Sequence, residues 1–192
     1  MVSPLFVDAG LHVLWLETSA NAPRSTVRQE VRQALVVALS EILAVETVAI
    51  KLISQAGQPV RLAPPWQDIG LSLSHDNGRS LAAIHRHGPV GVDLLRNDLQ
   101  LPDRDRLARD YLGPIQAAAL AALPANQRDQ AFAQAWAGLE ASLKCLTLEL
   151  DEWTAERAAR LSACAVTALA LPTGWCGAVA TRGTVGMNTL AV

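Results

Sequence analysis

The spacing of apolar residues divides the chain into short elements. "LHVLWLE" (11–17) reads as a strand, and "SANAPRS" (19–25) is a turn-rich break. From Arg24 to about Leu43, apolar residues recur every three or four positions after a polar start, which predicts a helix. Thr47 to Ser54 carries β-branched Thr47, Val48, Ile50 and Ile53 and reads as a strand. "QAGQP" (55–59) is a turn and "APPW" (63–66) a linker. "LSLS" (71–74) and "LAAIH" (81–85) are short strands around "HDNG", and "VGVDLL" (90–95) starts another after the break at "HGP".

The second half follows a similar plan. Leu101 to Tyr111 predicts a short helix, "GP" (113–114) restarts one, and a long helix runs from about Arg128 to Leu146. Two strands are expected near 163–171 and 175–181. Each half thus runs strand, helix, strands, with no literal repeat between them. The expected organisation is α+β, with an N-terminal lobe over 1–88 and a C-terminal lobe over 89–192.

Several polar residues break this pattern. In "AFAQAWAGLEASLKCL", Trp136, Glu140 and Lys144 are four apart and share a helix face. Phe132 and Trp136 begin the same stripe, so Glu140 and Lys144 extend an apolar face. The pair fits a surface ion pair worth about 0.2–0.5 kcal/mol, or a cleft. Asp93 lies between Val92 and Leu94 in a strand-like run, where it reads as a metal ligand, a solvated strand end or a loop cap. Asp93 and Glu140 together can offer carboxylate oxygens to Mg2+, although no spacing rule brings them together. His75 precedes "DNG", a turn whose amides can cradle a phosphate beside the imidazole; a lone histidine at a turn is more usually structural or solvated. His85 and His87 alternate on a strand-like piece, with no further ligand pattern for zinc.

Composition narrows the class without naming a function. The chain has 192 residues, 51% hydrophobic and 18% charged, which suits a folded domain or two small lobes sharing a core. A net charge of -2 gives no global basic field for nucleic acid. Lys51 and Lys144 are the two lysines, so a lysine at a candidate site stands out. Cys145, Cys164 and Cys176 are odd in number and form no CxxC pair, which predicts free thiols in a reducing compartment. The N-terminal stretch lacks the basic and apolar regions of a signal peptide. No apolar run is long enough to span a bilayer. A cytoplasmic protein without membrane or nucleic-acid partners is expected.

Taken in order, "GQP", "LSLSH..G", "GVD", "ALP...R...F...W" and "EASLK" resemble the 4'-phosphopantetheinyl transferase superfamily, in its longer two-lobed surfactin-synthetase type. The family pattern is roughly G-K-P, S-H-S, G-[IV]-D-x-E and W-[ST]-x-K-E-[AS]-x-x-K, and the resemblance covers about residues 24 to 182. It implies two pseudo-symmetric α+β lobes with coenzyme A in the cleft between them. It implies transfer of the phosphopantetheine arm from coenzyme A to a serine of an apo acyl or peptidyl carrier protein, with Mg2+ and release of adenosine 3',5'-bisphosphate. Asp93 and Glu140 would hold Mg2+, Glu140 would help remove the serine proton, and Lys144 would stabilise a phosphate oxygen. Ser74 and His75 would contact the nucleotide's phosphates, and Gly57 and Pro59 would shape the bordering turn. Arg24, Arg28 and Arg32 fit the 3'-phosphate, the carrier, or an ordinary solvated helix face. A monomer is the natural expectation for a chain carrying both lobes. Three positions depart from the pattern: Leu95 for the second acid, Leu139 for the lysine before the glutamate, and Gln58 for the G-K-P lysine. These departures also suit a relative that binds a carrier protein or coenzyme A without transferring.

Overall fold

The computed structural model describes residues 2–8, 10–18, 23–55, 58–98 and 101–182. Two sheets carry the architecture. The first has strand order β1-β2-β6-β5, with β1 Val2–Asp8, β2 Leu11–Glu17, β5 Gly70–Asp76 and β6 Arg79–His85, all antiparallel. The second has order β7-β9-β8, with β7 Val90–Arg96, β8 Cys164–Ala168 and β9 Trp175–Arg182. The chain therefore leaves the first sheet after β6 and enters the second at β7.

Helix α1 (Arg24–Leu43) buries Val31, Leu35 and Leu39 against Leu14, Leu16, Ala82 and Ile84 of the first sheet. Each such side chain contributes about 1.5–3 kcal/mol of burial. The opposite face of that sheet presents Val13, Trp15, Leu81 and Ala83 to Val92 and Leu94 of β7 and Val179 of β9. Strand β2 is covered on both faces, which is why its sequence is apolar at successive positions instead of alternating. Residues 91, 93 and 95 project from the other side of β7, toward the long helix α4 (Ala125–Leu146). There the contact is built from small residues: Ala137 and Ala141 of α4 against Ala178 and Ala180 of β9. The layers run α1, first sheet, second sheet, α4.

Several expected elements differ. Thr47 to Ser54 is a 3-10 turn at Thr47–Ala49 and a two-residue strand β3, Leu52–Ile53, paired with β4 at Arg61–Leu62. Thr47, Val48 and Ala49 are solvent-exposed, so their β-branched content meets no sheet to pack on. The expected helix over 101–111 becomes one α-turn, α2 (Arg104–Leu107), followed by a π-helical turn at Ala108–Leu112. Gly113 at φ +86 ends it, and Pro114 opens α3 (Pro114–Ala122). The N-terminal edge strand β1 was not read from the sequence, nor was α5 (Ala155–Leu161), whose N-cap Thr154 accepts a hydrogen bond from the Arg157 amide at 3.1 Å. Among the described residues, no helix is long and apolar enough to cross a membrane.

Candidate functional site

Strands β5 and β7 are edge strands of different sheets, and side chains join them. Ser72 Oγ accepts from the Val92 amide at 3.0 Å, Ser74 Oγ from the Leu94 amide at 3.2 Å, and Asp76 Oδ2 from the Arg96 amide at 3.2 Å. Alternate residues of one strand thus cap alternate amides of the other. Such capping answers the rule that buried backbone donors need partners and accounts for the two buried serines in "LSLSHD". The turn between β5 and β6 is Asn77-Gly78, both at positive φ (39 and 75), as a two-residue hairpin requires.

Asp93 sits at this junction and is 8% exposed. Its Oδ1 accepts from Ser74 Oγ at 2.8 Å and from Lys144 Nζ at 2.7 Å. Lys144 also donates to the Val92 carbonyl at 3.1 Å. Burying a carboxylate is costly unless it is paired and hydrogen-bonded. Trp136, Glu140 and Lys144, one helical turn apart on α4, line the same cleft of about 460 Å³ as Asp93 and Leu95. The helix thus brings to Asp93 residues that lie roughly 50 positions away in sequence.

Burial raises the Glu140 carboxyl pKa above the ordinary glutamate value, and the charge of Asp93 raises it further, while Lys144 lowers it. A folded-state pKa above the unfolded one means that the native state binds the proton more tightly. Stability is then full in acid and is lost as pH rises through the window above about 4.3. Glu140→Gln should therefore raise the melting temperature at pH 7–8, with the gain shrinking toward pH 4. Thermal melts across that range measure it; a gain that grows in acid would show that Glu140 is not held in a desolvating, like-charged setting.

The donor set is compatible with Mg2+. Asp93 and Glu140 are hard oxygen ligands close enough for one charge to perturb the other. Mg2+ commonly binds one or two carboxylates and keeps several waters. Among the described residues, no three His, Cys, Asp or Glu side chains gather as a metal cluster. His85 and His87 stack edge to face with ring centroids 5.9 Å apart.

A second cleft, of about 670 Å³, meets the first at His75 and Lys144. Arg28, Arg32, His75 and Lys144 line it, with Glu149 the opposing charge. Arg32 is held by Ser54 Oγ at 2.5 Å. Ring atom Nδ1 of His75 pairs with Ser80 Oγ at 2.7 Å, which leaves Nε2 as its outward nitrogen. Desolvation lowers the His75 pKa first, then the charges of Lys144 and Arg28, so the ring is neutral at neutral pH. An anion beside it would reverse part of that shift. Pro59 lines this cleft, as does Gln58. Gly57 lies outside the described residues, as does the side chain of Arg24. The Ser74 hydroxyl, expected from the resemblance to meet a phosphate, donates its single proton to Asp93 instead.

Two residues of the site went unread in the sequence. Asp76 lines the Asp93 cleft and caps β7, and Ser80 orients His75. The signal for Asp76 was the period-two series Ser72, Ser74, Asp76, which places all three side chains on one face of β5. Nothing in the sequence pointed to Ser80, which becomes the cross-strand neighbour of His75 only once the hairpin closes.

Residues 89–173 match the family model of the 4'-phosphopantetheinyl transferase superfamily. That span begins just before β7 and takes in Asp93, Glu140 and Lys144. Over that span, which is less than half of the chain, the sequence is similar to the superfamily. No curated protein matches the chain.

Proposed function

We propose that this chain transfers the 4'-phosphopantetheine arm of coenzyme A to a serine of an apo acyl or peptidyl carrier protein, dependent on Mg2+, with release of adenosine 3',5'-bisphosphate. The observation that carries this reading is the placement of Asp93, Glu140 and Lys144 in one cleft that continues into a basic one. In this reading the protein has the two-lobed, pseudo-symmetric arrangement of the surfactin-synthetase type, works as a monomer in the cytoplasm, and needs neither membrane nor nucleic acid.

The chemistry asks for charge neutralisation on a pyrophosphate and removal of a serine proton. Asp93 and Glu140 would hold Mg2+, which when bound neutralises pyrophosphate charge. Burial and the charge of Asp93 raise the Glu140 pKa without the cation, and a bound cation would lower it, so the role of Glu140 as proton acceptor is supported by its place in the cleft. The serine proton would pass to a Glu140 carboxylate oxygen, directly or through a water. The serine oxygen would bond to the β-phosphorus as the bond to the departing bisphosphate breaks. Lys144, next to Asp93, is suited to a phosphate oxygen as charge moves to the leaving group. Arg28, Arg32 and the outward nitrogen of His75 suit the nucleotide's phosphates, with Pro59 at the border.

A second reading, a module that binds carrier protein or coenzyme A without transfer, draws on Leu95, which lines the cleft two residues after Asp93. One experiment separates the two. The protein is incubated with coenzyme A, Mg2+ and a broad panel of apo carrier proteins, and the carriers are weighed. A gain of one phosphopantetheine on any carrier, abolished by chelator, is the expected result. Folded protein that binds a carrier and leaves the whole panel unmodified would replace the first reading with the second.

A further inference from the structure

Ser72 and Ser74 make the same bond to β7, and only one of them makes a second. Both hydroxyls are buried and accept from an amide of the neighbouring strand, at 3.0 and 3.2 Å. Ser74 also donates to Asp93 Oδ1 at 2.8 Å. Since a serine hydroxyl carries one proton, its direction is fixed by these two bonds: the amide supplies a donor, so the O–H must point at the carboxylate. Lys144 donates to that same Oδ1 at 2.7 Å. Among the described residues, Oδ2 receives no protein donor, and it is not among the buried polar atoms left without a partner. The second oxygen is therefore the one that opens to the cleft.

We infer that Ser74 is a positioning residue: it pins Oδ1 of Asp93 inward, so that Oδ2 is presented to the cleft in one orientation. A carboxylate on a strand can rotate about its terminal torsion, which is broad and two-fold. Lys144 restrains that torsion less tightly, because its ammonium, which also donates to the Val92 carbonyl at 3.1 Å, ends a flexible four-carbon stem and can turn to either oxygen. The Ser74 bond starts from a hydroxyl anchored to the backbone of Leu94, beside Asp93 itself, and cannot follow. The inference rests on the proposed use of Asp93 as a cation ligand.

The test compares Ser74→Ala with Ser72→Ala, which removes the same amide cap without touching Asp93. Mn2+ is the probe, its free concentration read by electron paramagnetic resonance, with transfer kinetics and melting temperature measured alongside. Losing a residue that orients a metal ligand typically lowers affinity about 10–100-fold. Ser74→Ala should fall in that range, and Ser72→Ala should stay within about twofold of the parent at a similar melting temperature. Ser74→Cys, close in shape and a weak donor, should resemble Ser74→Ala; Ser74→Thr, which keeps the hydroxyl, should recover most of the affinity. Ser74→Ala or Ser74→Cys binding Mn2+ like the parent, or Ser72→Ala losing as much as Ser74→Ala, would overturn the positioning role and leave the proposed function standing. A folded parent that neither binds Mn2+ nor transfers would overturn both.

Discussion

Asp93→Asn should abolish phosphopantetheine transfer while leaving the protein folded. The substitution is nearly isosteric, and the amide oxygen can still accept from Ser74 and Lys144 as Oδ1 does now. What it removes is the charge and the second oxygen, which becomes an amide nitrogen that cannot ligate a cation. An electrostatic group aimed at developing charge is typically worth about 10²–10³ in kcat. Asp93 has two such tasks, a cation to ligate and a lysine to hold, so a loss of about 10³-fold or more is expected. Asp93→Ala should be as inactive and less stable, since it leaves the Lys144 ammonium and the Ser74 hydroxyl with no side-chain acceptor at this position. The measurement is carrier modification by mass spectrometry at saturating coenzyme A, with circular dichroism as a folding control. Asp93→Asn retaining a tenth of the parent's rate would remove Asp93 from the mechanism and, with it, the reading of the cleft.

Elements marked by an apolar run or by regular apolar spacing were legible in the sequence. Strands β2 and β7 show themselves by short apolar runs, helices α1 and α4 by spacing of three and four, and the β5–β6 hairpin by two such runs around Asn77-Gly78. Elements whose identity depends on position in the fold were not. Pro4 inside β1 argues against a strand until β1 proves to be an edge with a register shift between Pro4 and Phe6. Thr47–Ala49 has strand-forming residues and no sheet beside it. The candidate residues were legible one by one, because Asp93, Glu140 and Lys144 each interrupt an apolar pattern. Their meeting followed from no spacing, because Asp93 and Lys144 are 51 positions apart, and was expected only through the family resemblance. The partner of Ser74 was also hidden. A serine in a strand faces one side or the other by alternation, but a carboxylate from a different sheet enters its reach only after β5 and β7 lie side by side.

Gly91 sets how closely α4 approaches β7, and Gly91→Ala should cost both stability and activity. A Cβ at this position would lie 1.8 Å from the Ala141 carbonyl oxygen and 2.6 Å from the Cys145 amide nitrogen. Both atoms are helix backbone, so no side-chain rotation relieves the clash; the helix must move. Overpacking a filled core commonly costs about 1–3 kcal/mol, and a backbone collision belongs at or above the top of that range. For a chain of this size, 3 kcal/mol corresponds to roughly 6–12 °C in melting temperature. The same displacement shifts Glu140 and Lys144, which flank Ala141 and Cys145, relative to Asp93. Misplacement by about 1 Å can cost on the order of 10²-fold in rate, so transfer should fall at temperatures where the variant is still fully folded. Gly138→Ala is the control on the same helix. Its Cβ would meet Val166 Cγ1 at 3.5 Å, an ordinary contact. Alanine in place of a helical glycine should add about 0.5–1 kcal/mol of stability. Gly91→Ala melting within 2 °C or so of the parent with undiminished transfer would mean that α4 can retreat without disturbing the site. The glycine of "GVD" would then owe nothing to the helix that carries "EASLK".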